Sequence, residues 1–125
     1  MSKEKGVLEF VEASKIFNKL KKNVTFLLVG KFDGDWPSFI TLKNLQKFND
    51  KNLYPNLNWI GHKENILKIM QQSTIIVLPS YHEGVPKVLL EAAACGKPII
   101  ATNISGCRIV VENNKNGILI KTKSA

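Results

Sequence analysis

The stretch TIIVLPSYHEGVPKVLLEAAACGKPIIAT, residues 74–102, decides the fold. It opens on a β-branched apolar run that ends at Leu78, where Pro79, lacking an N–H, cannot continue a strand ladder. Pro86 reads as the first residue of a helix running to Cys95, with Gly96 as its C-terminal stop. A second apolar run occupies residues 98–101. Two strands apolar at nearly every position, joined by a helix, predict a parallel pair covered on both faces, because parallel strands need a crossover connection.

Outward from this unit the same alternation repeats. Upstream, Val7, Phe10, Val11, Phe17 and Leu20 fall on one face of a helix over about residues 6–21. A buried strand is expected at 24–29, closed by Gly30. Residues 31–40 read as a loop punctuated by Asp33-Gly34 and Trp36-Pro37, with Trp36 and Phe39 open to reading as packing or as interdomain surface. A weaker helix covers 41–49, a strand 57–60 stops at Gly61, and a helix over 63–72 turns Ile66, Leu67 and Met70 inward. Downstream come a short helix over about 106–112, a turn at Asn116-Gly117 and a strand at 118–120. The fold class is α/β: a Rossmann-like parallel sheet with helices on both faces, read as one domain over residues 1–125.

Composition narrows the function classes. Of the 125 residues, 44% are hydrophobic and 22% charged, which excludes a disordered tail, a collagen-like repeat and a coiled coil. No apolar run approaches the roughly 18–20 residues of a membrane span. The opening MSKEKGVLEF carries lysines but no apolar core or cleavage site of a secretory signal, so a cytoplasmic location is expected. The net charge of +8 favours an anionic partner: nucleic acid, a phosphate-bearing ligand or an acidic membrane face. A solvated lysine surface explains the same charge. Arg108 is the sole arginine able to make bidentate contacts, so nucleic acid is not the expected partner. Cys95 and Cys107 read as free buried thiols; His62 and His82 lie elsewhere in sequence, and no metal site is expected.

Ligands of such folds bind beyond the C-terminal ends of the strands, beside helix N-termini. Three places qualify: residues 30–35, Gly61-His62 and residues 79–86. The third concentrates chemistry. Glu83 lies in the loop, Gly84 and Val85 precede the helix, and Glu91 lies inside it. Unpaired N–H groups at the helix start suit phosphate or sugar oxygens, and a carboxylate at 91 can accept both hydroxyls of a ribose diol. The plainer alternatives are a Lys87–Glu91 pair at i,i+4 and a solvated Glu83. His82 has no nucleophile at a triad spacing. Sequence separation alone does not make the two glutamates a glycosidase pair.

Pro79, Ser80, Glu83, Gly84, Pro86, Leu90, Glu91, Ala92, Ala94, Gly96, Pro98, Ala101 and Thr102, then Ser105-Gly106 and Asn116-Gly117, carry a resemblance. They match the pattern P-S-x-x-E-G-x-P-x-x-x-L-E-A-x-A-x-G-x-P-V-I-A-T of the retaining glycosyltransferases of family four, which have the GT-B fold. The likeness extends over about residues 3–120 and is nearest to the branch building lipopolysaccharide, O-antigen, capsule and lipid-linked glycans. It implies the nucleotide-sugar donor-binding domain, the C-terminal half of a GT-B fold. Glu91 would hold the ribose. Glu83 would contact the donor sugar near the reacting carbon, beside the Gly84 and Val85 N–H groups, as the catalytic-site carboxylate. Lys5 would neutralise the donor diphosphate, and Gly61 would mark the place of the base.

The donor implied is a nucleoside diphosphate sugar, UDP by default, with no metal or other cofactor required, and a glycan or lipid-linked glycan as acceptor. Peripheral attachment of the whole enzyme to the membrane is compatible with such an acceptor. The resemblance is incomplete: the strand with its arginine expected before the Lys5-Gly6 pair, the acceptor-binding half and the C-terminal helices expected after Ala125 lie outside residues 1–125, and Ile109 stands where a Glu is common. The chain is therefore expected to be a fragment that does not turn over alone. A non-catalytic nucleotide-sugar binding module working through a partner chain is the alternative.

Overall fold

The computed structural model describes residues 1–34 and 37–125. The readings placed on Asp35 and Trp36 lie outside them. The chain divides into two compact units: Met1–Lys3 with Val7–Lys63 and Ala125, and Glu4–Gly6 with Glu64–Ser124.

In the first unit, α1 (Val7–Lys19) buries Val7 and Val11 at i,i+4 spacing. The strands β1 (Phe26–Leu28) and β2 (Leu57–Trp59) pair in parallel, with Phe26 opposite Leu57 and Leu28 opposite Trp59. Between them, α2 (Leu42–Lys47) starts where the Thr41 hydroxyl accepts from the Asn44 N–H, a side-chain N-cap. Leu28, Ile40, Leu45, Phe48 and Leu57 complete a core with Val7 and Val11, and Phe10, Phe26, Tyr54 and Trp59 pack around it.

The apolar face of α1 is shorter than its periodicity predicts. Phe17 is 38% exposed and Leu20 61% exposed, although both were expected in the core. The helix stops at Lys19, where Lys21 takes a left-handed φ of 51° and the Lys22 N–H returns to the Phe17 carbonyl, so Leu20 falls beyond the last turn. Phe17 makes an edge contact to Phe26, with centroids 5.6 Å apart. The strand expected at 24–29 is reduced to Phe26–Leu28 because the Val24 N–H bonds locally to the Lys22 carbonyl.

The second unit holds the strands β3 (Ile76–Leu78), β4 (Ile99–Thr102) and β5 (Gly117–Ile120), all parallel, in the order β3-β4-β5. Among the described residues the strands thus hydrogen-bond as a two-stranded and a three-stranded parallel sheet, where the sequence suggested one sheet. In this unit α3 (Ile66–Gln72) is capped by Asn65 and buries Met70, but Leu67, expected inward, is 46% exposed.

The helix α4 (Lys87–Ala94) packs on β3 and β4 through Leu89 and Ala92, both fully buried. Pro86 is its N-cap, with extended ψ of 111°, and not its first helical residue. At the far end Gly96, at φ 63°, completes a Schellman turn: its N–H reaches the Ala93 carbonyl and the Lys97 N–H reaches that of Ala92. The short α5 (Ser105–Arg108) links β4 to β5 and occupies less than the helix expected over 106–112. Leu89, Ala92, Ile99, Ala101, Cys107 and Val111 form the core of this unit.

Candidate functional site

The C-terminal ends of β3 and β4 lie side by side, since Leu78 pairs with Ala101. The loops leaving these two strands therefore meet at one edge of the sheet, where parallel α/β folds place their ligands. The loop after β3 is held there by backbone contacts. The Thr102 hydroxyl donates to the Ser80 carbonyl in a fully buried position. The Tyr81 N–H donates to the Glu4 carbonyl at 2.8 Å. Gly6, at φ 68°, lies so close to Pro79 that a Cβ there would stand 2.2 Å from the Pro79 carbonyl oxygen.

This docking of residues 4–6 on the loop brings Lys5 to Glu83. The Lys5 ammonium donates to Glu83 Oε1 at 2.7 Å, with the Glu83 side chain only 13% exposed and that of Lys5 53% exposed. Glu83 also lines an open cleft of about 370 Å³ together with Tyr81, His82, Asn103, Ile104, Ser105 and Arg108. Arg108 is oriented by Asn103, whose side-chain and main-chain oxygens accept from Nη1 at 3.0 and 3.2 Å.

The remaining residues singled out in the sequence are spread more widely. Gly84 and Val85 are exposed at the entry to α4, and a Cβ at Gly84 would meet nothing within 4 Å. Glu91, in the second turn of α4, is about one quarter exposed and lies 3.8 Å from the ammonium of Lys87, itself 88% exposed. The i,i+4 contact weighed in the sequence is therefore present, at a length beyond a hydrogen bond. Glu91 does not line the cleft that Glu83 lines. Gly61 belongs to the first unit, where it lies just beyond β2 at φ 69° and its carbonyl accepts from the Gly30 N–H.

Asn103, Ser105 and Arg108 were not assigned to a site from the sequence. They lie beyond the fourth strand, whereas the three places singled out lie beyond the first three; the signal was the same strand-to-helix junction, at Thr102. Beside them Cys107 is fully buried. Burial pushes its thiol above the ordinary range, against the lowering effect of the Thr102 hydroxyl, and the Glu83 carboxylate adds to the rise.

An acidic loop, a lysine and a helix N-terminus thus gather at the C-terminal strand edge of a parallel α/β sheet, the edge where folds of this class place their ligands. The chain belongs to the family described as glycosyl transferases group 1, which it matches over residues 1–125. It is 37% identical over 121 residues to the N,N'-diacetylbacillosaminyl-diphospho-undecaprenol alpha-1,3-N-acetylgalactosaminyltransferase of Campylobacter jejuni, covering 97% of this chain and 29% of that protein. A glycosyltransferase from Rickettsia africae superposes with a TM-score of 0.78 at 27% identity, over 96% of this chain and 31% of the other. Anabaena HepE, solved in complex with UDP, superposes at 0.67 and 28% identity, over 81% of this chain and 28% of the other. The chain thus spans about three tenths of the proteins it matches, and its fold is that of one part of a GT-B glycosyltransferase. Among the described residues, no helix is long and apolar enough to cross a membrane.

Proposed function

We propose that this chain is the donor-binding domain of a retaining glycosyltransferase that moves a sugar from a UDP-sugar to a lipid-linked glycan. The observation that carries the reading is the Lys5–Glu83 contact of 2.7 Å at the lip of a strand-edge cleft, in a chain of this family. The UDP complex of the Anabaena protein and the undecaprenol-linked acceptor in the name of the Campylobacter relative support the choice of donor and acceptor.

The chemistry asked of the site is electrostatic. As the glycosidic bond to the nucleotide breaks, negative charge gathers on the departing diphosphate. Lys5 and the N-terminal N–H groups of α4 stabilise that charge, and no metal is required. Glu83 accepts hydrogen bonds from hydroxyls of the donor sugar and orients its anomeric carbon, with Gly84 and Val85 N–H groups beside it. Glu91 accepts the ribose diol. Attack from the face the diphosphate leaves retains the anomeric configuration. The acceptor comes from the part of the enzyme outside residues 1–125, so the isolated chain binds donor without transferring it. The whole enzyme works in the cytoplasm, at the membrane face where its lipid-linked acceptor lies.

The test is calorimetry of the chain against UDP-, GDP- and ADP-sugars, repeated with Glu91→Ala. The expected result is selective binding of a UDP-sugar, weakened in the variant by about 1.5–3 kcal/mol, the contribution of one charge-assisted contact. Unaltered affinity in Glu91→Ala removes that residue from its role. Sustained release of sugar by the wild-type chain, abolished in Glu83→Gln, overturns the division of labour.

A further inference from the structure

Gly106 has no conformational need to be glycine. It lies at the second position of α5 and is absent from the glycines with positive φ. What it has is no room. A Cβ at this position would stand 1.6 Å from the Gly84 carbonyl oxygen and 2.4 Å from that of Glu83. Both obstacles are backbone, so no side-chain rotation relieves them. The glycine lets the loop after β3 lie directly on the start of α5.

The consequence falls on Glu83. Its loop is tied on the other side by the Thr102–Ser80 and Glu4–Tyr81 hydrogen bonds and by the close approach of Gly6 to Pro79. Those contacts fix residues 79–81 and, with them, Lys5. Beyond residue 81, the backbone at 83 and 84 is seated against Gly106. From that seat the Glu83 carboxylate accepts from the Lys5 ammonium at 2.7 Å.

We propose that Gly106 is a positioning residue for Glu83: the bare Cα at 106 sets where the Glu83 carboxylate stands relative to the donor sugar. The effect on donor binding rests on the function proposed above; the seating of the loop does not. Any side chain at 106 lifts the 83–84 backbone off α5. It leaves residues 79–81 in place, so the hexose contact is lost before the nucleotide contacts.

The experiment compares Gly106→Ala with Gly117→Ala in the 125-residue chain. Gly117 is another glycine crowded by backbone, whose Cβ would stand 2.3 Å from the Ile99 carbonyl oxygen, but it belongs to β5 and not to the loop. Two quantities are read. One is the ¹⁵N order parameter of the Glu83, Gly84 and Val85 amides. The other is calorimetric affinity for UDP alone against UDP-glucose, UDP-galactose and UDP-N-acetylgalactosamine.

In the wild type the loop amides are expected to be as ordered as those of β4 without any ligand; lower order overturns the proposal, and this reading stands even if Gly106→Ala does not fold. In Gly106→Ala the order at 83–84 falls, and the best UDP-sugar weakens by roughly tenfold while UDP itself is held nearly unchanged. Unchanged loop order, an equal loss for UDP and UDP-sugar, or the same changes in Gly117→Ala overturns it. A wild-type chain that binds none of these nucleotides defeats the proposed function instead, and the order parameters alone then decide the role of Gly106.

Discussion

Cys107 shows how closely the chemistry of this edge is packed. Its Sγ lies 4.0 Å from the Thr102 hydroxyl that holds the Ser80 carbonyl, and no solvent reaches it. Burial holds the folded thiol above its ordinary value of 9.0. As pH rises, the unfolded chain therefore gives up this proton first. The stability contributed by the buried neutral thiol is complete below the unfolded value and is lost as the pH climbs from there through the folded one. Urea unfolding at about pH 7.5 and about pH 10.5, which bracket the ordinary thiol range, should show a smaller alkaline loss in Cys107→Ala than in the wild type. Equal losses would show that the thiol does not titrate differently on unfolding. The same burial makes Cys95, which is only partly covered, the thiol that iodoacetamide reaches first at neutral pH.

Two helices of the chain end in the same Schellman geometry with opposite residue choices. α4 ends on Gly96 at φ 63°, α1 on Lys21 at φ 51°. A Cβ at Gly96 would meet nothing within 4 Å, so Gly96→Ala costs only the left-handed strain of an L-residue, about 1 kcal/mol. Lys21→Gly removes that strain and gives back part of it as unfolded-chain entropy, for a net gain of about 0.5–1 kcal/mol. Denaturant melts of both variants check the pair, and a destabilised Lys21→Gly would show that the lysine side chain is holding the turn. Gly96 was legible in the sequence because a stop signal is local, as were the Asn116-Gly117 turn and the alternation of strands with helices. Periodicity found the buried face of α1 through Val7 and Val11, yet it cannot say where the covering element ends, so Phe17, Leu20 and Leu67 were placed inside. The candidate site was legible unevenly for a related reason. Glu83 and Glu91 stood out beside a strand end, but 78 residues separate Lys5 from Glu83, and only resemblance to a family linked them. That Asn103, Ser105 and Arg108 share a cleft with Glu83 results from β3 lying beside β4, a neighbour relation that local pattern does not carry.

Among the described residues, the buried apolar side chains form one hydrophobic cluster in the first unit and one in the second. Leu45 and Leu57 are fully buried in the first, Leu89 in the second. Truncation of any of them leaves a cavity and is expected to cost about 2–5 kcal/mol. Because the two clusters share no residue, the loss should show first in the amides of the unit that is cut. Leu89→Ala is expected to speed hydrogen exchange across β3, β4 and β5 before it does so in β1 and β2, and Leu57→Ala the reverse. Exchange that rises uniformly over both units in either variant would show one cooperative unit with a single opening. The second unit contains Lys5, Glu83 and Glu91, proposed above to hold the donor, together with the cleft. If opening is local, Leu89→Ala weakens UDP-sugar binding through the fraction of molecules whose second unit is open, and raising the ligand concentration restores the exchange protection of β3–β5, since a ligand bound only by the closed form stabilises it by mass action. Protection of β1 and β2 alone by added UDP-sugar would place the donor outside the second unit.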